Sequence, residues 1–188
     1  MPLAQLPQPF DHHDFIFEVK YDGFRSLCYL ESGSVRLVSR NGNPYKSFSE
    51  LCRALADCLN VKTAVLDGEI VFLGQGGRPE FYNLMRRRRP QYFAAFDLLW
   101  LNGKDLRWLP LLERKRVLKS IVPAQPASIF YVDFDHRGVD LFRVVCDSDL
   151  EGVVAKLKTG VYDPTSTTWI KIKNRAYSQA VGRHEFFG

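Results

Sequence analysis

Phe15-Ile16-Phe17-Glu18-Val19-Lys20-Tyr21-Asp22-Gly23-Phe24-Arg25 runs an apolar, β-prone segment into a lysine and then a glycine-containing turn. A lysine at the end of such a strand can be partly desolvated, which favours a neutral, nucleophilic amine. Gly23 permits a backbone conformation and a close approach that a side chain would block. The four fixed positions of K-x-D-G-x-R arise by chance in on the order of one chain in several hundred. Taken alone, the stretch also fits a solvated lysine at a hairpin.

Outward from it, FIFEV, LCYL and VRLVS are short β-prone runs separated by DG and SGS turn signals, which predicts an antiparallel meander. Ser47-Phe48-Ser49-Glu50 has the form of a capping box, with Ser47 as N-cap and Glu50 at N3. Leu51, Leu55, Cys58 and Leu59 follow at helical spacing, so residues 48–59 are expected to form an amphipathic helix. TAVLDGEIVFL reads as a strand and FYNLMRRRR as a short helix ending before Pro90. QYFAAFDLLWL reads as a buried strand, with Phe93, Leu98, Leu99 and Trp100 in the core. Residues 110–121 and 138–148 read as helices, EGVVAKL and TWIKIK as strands. Residues 1–14, rich in Pro, Gln and His, read as an extended arm. Mixed strands and helices without regular βαβ alternation predict an α+β domain with packed antiparallel sheets.

Composition narrows the function classes. The chain has 188 residues, 46% hydrophobic and 13% aromatic, which is enough for one sizeable core and excludes a fibrous chain. No apolar run approaches the ~20 residues of a membrane helix, and the N-terminus lacks the pattern of a signal peptide. A cytoplasmic protein is expected. Cys28, Cys52, Cys58 and Cys146 are scattered and read as small apolar residues rather than a zinc site or disulfides. The net charge of +5 permits a nucleic-acid partner without requiring one. His12 and His13 read as surface residues. Arg86 to Arg89 form the longest charge run, read either as a solvated helix end whose cations suit the dipole or as a DNA-backbone contact.

The Lys20 segment is followed in order by Ser39-Arg40-Asn41-Gly42, Leu66-Asp67-Gly68-Glu69, Phe96-Asp97, Glu151-Gly152-Val153-Val154-Ala155-Lys156 and Trp169-Ile170-Lys171-Ile172-Lys173. This series resembles the motifs of the covalent nucleotidyltransferases: ATP-dependent DNA ligases, RNA ligases and capping enzymes. The chain is most similar to the adenylation domain of bacterial ATP-dependent DNA ligases of the end-joining type. FDLLWLNGKDLRWLPLLERK and GVYDPTSTTWIKIK are like stretches of that branch, and the resemblance covers roughly residues 10–175.

The resemblance implies an ATP-grasp-like nucleotidyltransferase fold, two antiparallel sheets flanked by helices with ATP between them. It implies a reaction as well: lysine adenylation from ATP, transfer of AMP to a DNA 5′-phosphate, then phosphodiester formation in DNA repair. Lys20 matches the nucleophile that becomes lysyl-AMP, and Glu18 the residue that reads the adenine amino group. Arg25 and Arg40 match residues at the ribose and phosphates. Glu69 matches the acid at ribose and metal, Phe96 the aromatic that stacks on adenine, and Glu151 a second metal-associated carboxylate. Lys171 and Lys173 match the pair that grips the α-phosphate. Mg²⁺ or Mn²⁺ is the implied metal, and nicked or broken double-stranded DNA the implied partner.

The chemistry of the residues agrees with those roles. Phosphoryl transfer relies on positioning and on stabilising charge. Lysines two apart on a strand share a face, so Lys171 and Lys173 can address one phosphate while Ile170 and Ile172 enter the core. Glu69 and Glu151 offer hard oxygen ligands of the kind Mg²⁺ takes. Asp22 and Asp67 read as turn residues.

Full ligases continue into an OB-fold, for which residues 176–188 are too few. The expected organisation is an arm (1–14), an adenylation domain (15–175) and a tail (176–188) without that barrel, which leaves a separate OB-fold or end-joining protein as a possible partner. Two rivals stand beside this reading. One is an RNA ligase or capping guanylyltransferase, which shares Lys-x-Asp-Gly. The other is a catalytically weak nucleotide- or DNA-binding remnant.

Overall fold

The computed structural model describes residues 3–124, 128–166 and 168–180. Among the described residues, eleven strands form two sheets. In chain order they are β1 (Leu3–Leu6), β2 (Phe15–Val19), β3 (Phe24–Glu31), β4 (Ser34–Ser39), β5 (Thr63–Phe72), β6 (Gln91–Leu101), β7 (Lys104–Asp105), β8 (Ile129–Tyr131), β9 (Phe134–Asp135), β10 (Gly152–Leu157) and β11 (Trp169–Lys173). One sheet has the order β1-β11-β10-β2-β9; the other has the order β4-β3-β5-β6-β7, with β8 also on β6. The helices are α1 (Ser49–Cys58), α2 (Phe81–Met85), α3 (Leu111–Ile121) and α4 (Gly138–Asp147). Among the described residues no helix is long and apolar enough to cross a membrane.

The helices cover the outer faces and leave a cleft between the sheets. Leu51 and Leu55 of α1 and Leu118 of α3 share the larger core with Cys28, Leu66, Ile70, Phe93 and Leu98 of the second sheet. Val145 of α4 packs with Phe17, Val153, Ala155 and Ile172 of the first. Strand alternation then turns Glu18, Val154, Lys156, Trp169 and Lys171 to the cleft. Ile170 and Ile172 do enter the core, as their spacing predicts.

Several expectations need correction. The meander is split: β2 belongs to the first sheet, and β3 and β4 form a hairpin in the second. The chain crosses the cleft between them, at residues 20–23. A Cβ on Gly23 would sit 2.0 Å from the Ile70 carbonyl oxygen, so the close approach that needs glycine is that of β5. The sheets are mixed rather than wholly antiparallel, because β1–β11 and β6–β8 are parallel pairs. Part of the supposed arm is therefore an edge strand, Leu3–Leu6 on β11.

The capping box does not form. Helix α1 begins at Ser49, with Phe48 as an N-cap that offers no side-chain bond. Phe48 is instead buried in the core, and that burial sets where the helix starts. Helix α2 ends at Met85, so Arg86–Arg89 form a turn, with Arg87 at φ 58°. Trp100 is 38% exposed rather than core. Of the predicted tail, residues 181–188 lie outside the described residues.

Candidate active site

The cleft holds a cavity of about 410 Å³ lined by Glu18, Lys20, Arg25, Arg40, Glu69, Phe96, Lys156, Trp169 and Lys171, among others. Seven residues singled out from the sequence thus meet at one cavity. A second cavity of about 460 Å³ adjoins it, sharing Arg25 and Arg40.

Lys20 is fixed from its backbone. Its N–H donates to the Gly152 carbonyl at 2.8 Å, continuing the β2–β10 ladder one residue past β2. That places its Nζ 2.5 Å from Oε2 of Glu151, the residue just before β10. Gly152 permits this turn into the strand. Its φ is 154°, and a Cβ there would lie 2.2 Å from the Ile172 carbonyl oxygen. Lys20 Nζ is therefore placed against a carboxylate rather than in a purely apolar setting. Lys171 lines the cavity. Lys173 does not line the cavity; it is 49% exposed, with its Nζ 3.8 Å from Oε1 of Glu151.

Glu69 comes from β5, opposite Arg25. Burial pushes its carboxyl up to about 8; Lys20 and Arg25 pull it down, while Glu151 and Asp22 raise it further. Two crowded carboxyl groups beside a phosphate-sized space are a donor set that suits a divalent cation. The site residues fit Mg²⁺ or Mn²⁺ on that ground.

At the other end, Glu18 is 2% exposed and held between two buried ammoniums. Its Oε2 is 2.5 Å from Lys156 Nζ and its Oε1 is 2.6 Å from Lys115 Nζ. Lys115 also donates to the Val132 carbonyl at 2.6 Å. Oε1 makes no aligned hydrogen bond, so it remains an acceptor in need of a donor. Burial lowers the Lys156 ammonium, an effect that Glu18 opposes. The Lys156 Nζ lies 4.4 Å from the ring centre of Phe96 and 4.0 Å from that of Trp169.

Phe96 reaches the cleft through a β-bulge. Asp67 pairs with Asp97 and Gly68 with Ala95, so Phe96 is the extra residue on β6. Arg25 makes a two-pronged contact with Asp67, at 3.0 and 2.6 Å, and Tyr162 donates to the same carboxylate at 2.8 Å. Burial alone would lower the Arg25 guanidinium, but Asp67 outweighs it and raises it. Asp67 is therefore a mid-strand anchor, not a turn residue. Asp22 accepts from the Tyr177 hydroxyl at 2.8 Å, tying the turn after Lys20 to the end of the described chain. Arg40 is exposed at the end of β4, at the cavity's edge.

Sequence reasoning missed Lys115, Lys156 and Trp169 as members of the site. For Lys156 a signal existed: it alternates with Val154 on the strand after Glu151. Lys115 gave none, since only the docking of α3 brings it to Glu18.

A family model described as "ATP dependent DNA ligase domain" matches residues 3–173. The chain is 28% identical to the SPbeta prophage-derived DNA ligase-like protein LigB of Bacillus subtilis, over 96% of this chain and 69% of that protein. It is 33% identical to the multifunctional non-homologous end joining protein LigD of Pseudomonas aeruginosa, over 91% of this chain but 21% of that protein. The ligase domain of Mycobacterium tuberculosis LigD superimposes with a TM-score of 0.74 at 30% identity, covering 92% of this chain and 58% of that one. A mycobacterial DNA ligase D complexed with ATP gives 0.73 at 30% identity, covering 92% of this chain and 60% of that one.

Proposed function

The chain belongs to the ATP-dependent DNA ligase domain family, and from that premise we propose that it adenylates itself on Lys20 and passes the AMP to a DNA 5′-phosphate. The observation that carries this reading is the placement of Lys20 Nζ in the cavity, beside Glu151 and on a sheet shared with Lys171. The Lys20 amine attacks the α-phosphorus of ATP; a P–N bond forms, the bond to the bridging oxygen breaks, and pyrophosphate leaves. Lys20 is 21% exposed, so the proton it gives up can pass to solvent. Lys171 and Lys173 stabilise the charge gathering on the α-phosphate oxygens. Glu69 and Glu151 would hold Mg²⁺ or Mn²⁺, which supplies further charge neutralisation at those oxygens.

The base end carries the nucleotide preference. Glu18 accepts from the 6-amino group of adenine and repels the 6-oxygen of guanine, which sets ATP ahead of GTP and disfavours a capping activity. Phe96 offers its ring to the base. Arg25 and Arg40 border the sugar and phosphates. Nicked or broken duplex DNA is the proposed AMP acceptor, sealed by attack of a 3′-hydroxyl, in the cytoplasm; an end-joining protein is the proposed class of partner.

The test is intact mass after incubation with ATP and Mg²⁺. The wild-type chain gains one AMP; Lys20→Ala does not, and neither does Lys20→Arg, whose guanidinium stays protonated. An AMP adduct on either variant at the wild-type rate rejects Lys20 as the nucleophile.

A further inference from the structure

The arginine run, Arg86 to Arg89, is not used by the nucleotide chemistry. The run begins at the C-cap of α2, a helix of five residues that stops at Met85, so most of it lies past the helix. The four arginines form a turn that is held from inside. Arg87 has φ 58° and lays its guanidinium 5.1 Å from the ring centre of Phe48. Arg89 is ion-paired with Glu50. The buried amide of Gln91 donates to the carbonyls of Arg87 and Arg88, at 3.4 and 2.8 Å.

These contacts divide the run by alternation. All four are exposed, but Arg87 and Arg89 are tied to Phe48 and Glu50 while Arg86 and Arg88 are not. The side chains of Arg86 and Arg88 have no ion pair or hydrogen bond with the described residues. Leaving two guanidiniums unpaired on an ordered turn has no structural benefit, since exposed cations three charges deep repel one another.

The turn's position gives the pair a use. It leads directly into β6, where Gln91 pairs with Phe72 while Ala94 pairs with Glu69 of the active site. Three residues of strand separate the two pairs, about 10 Å. That is about three nucleotides of duplex rise at ~3.4 Å each. A second link points the same way: Tyr45 contacts Phe48, under Arg87, and donates to the Arg25 carbonyl at the cleft.

We propose that Arg86 and Arg88, which lie beyond that strand start, contact two backbone phosphates of the duplex at least three nucleotides from the reacting 5′-phosphate, and set the DNA's register at Lys20. The contact reads charge and spacing, not sequence. This rests on the ligase reading above and adds to it a DNA-binding surface outside the nucleotide cavity.

The experiment measures binding of a nicked duplex against salt for the wild type, for Arg86→Gln with Arg88→Gln, and for a control pair, Lys62→Gln with Lys104→Gln. The control charges sit at the opposite end of β6, where Lys62 and Lys104 flank Asn102. Two lost phosphate contacts should reduce the slope of log affinity against log salt by about 2, at ~0.9 per phosphate. Affinity near 0.1 M salt should fall about 10- to 100-fold, with the control pair unaffected. Arg86→Lys with Arg88→Lys should keep most of the slope, because a lysine still pairs with a phosphate as a point charge. AMP loading by each variant, read by mass, shows that the cleft is intact. An unchanged slope in the glutamine pair, or an equal drop in both pairs, overturns the proposal. A wild-type chain that loads no AMP overturns the ligase reading itself, which the mass arm reveals separately.

Discussion

The two ends of the cleft are built on different principles. At the base end, Glu18, Lys115 and Lys156 are each no more than 2% exposed, and every charge is matched within 2.6 Å. At the phosphate end, Lys20 is 21% exposed, Lys173 is 49% exposed, and Glu69 carries a carboxyl raised to about 8. The first arrangement is fixed before any nucleotide arrives, with one Glu18 oxygen still lacking a hydrogen-bond donor, which suits recognition: a rigid acceptor rejects the wrong base at little reorganisation. The second is frustrated, with two carboxyl groups crowded together and a nucleophile tied to one of them. It is resolved by the phosphates and cation that would enter. Stability and chemistry are therefore separated along one cavity.

That separation can be broken by two substitutions with opposite effects. Lys156→Met removes one of the two cations on Glu18 while Lys115 stays, and should cost about 1.5–3 kcal/mol in a urea melt, the range for a hydrogen bond to a charged group. The double variant Glu18→Gln with Lys156→Met should be no more stable than the single one, because Lys115, 1% exposed, then has no carboxylate partner. Lys20→Ala should cost only about 1 kcal/mol of stability, its pair being partly hydrated, while abolishing the AMP adduct. If Lys156→Met melts like the wild type, the base end is not the rigid one.

Glu69 gives the next effect. Its carboxyl stays protonated up to about 8 in the fold, whereas an unfolded glutamate releases its proton near 4.5. Between those values the unfolded chain binds fewer protons, so stability falls as pH rises, by up to about 1.4 kcal/mol per pH unit. Thermal melts in chelator from pH 5 to 8 should show this decline in the wild type and a flatter profile in Glu69→Gln. Parallel profiles would place Glu69 outside the strained end.

Much of this was legible in the sequence, though unevenly. Strand alternation at Trp169–Lys173 correctly sent Ile172 inward and Lys171 to the cleft, because period two is a local property. The motif spacing brought Lys20 and Glu69 to one cavity. The crossing of the chain between sheets at residues 20–23 was not legible, since a DG pair reads as a hairpin whichever sheet the next strand joins. Nor was Lys115, which lies 97 positions from Glu18 and meets it only through helix docking. The capping box failed because burying Phe48 outweighed a cap worth about 1 kcal/mol.

The smallest effect concerns Phe96, which stands at the boundary between the two ends. The bulge that turns its ring to the cleft also sets it against Lys156 and, at 5.3 Å, against Arg25. Arg25 cannot swing away without giving up Asp67. The ring therefore has two tasks, offering a face to the base and shielding a buried ammonium. Phe96→Ala removes both and would confuse them, so Phe96→Leu is the sharper variant: it keeps apolar bulk over Lys156 but has no π-face. ATP affinity should fall about fivefold, near the ~1 kcal/mol lower end for base–aromatic stacking, while the melt barely changes. The reverse result, wild-type affinity with a lowered melt, would assign Phe96 to the rigid base end as a packing residue and leave Trp169 as the ring that meets the nucleotide.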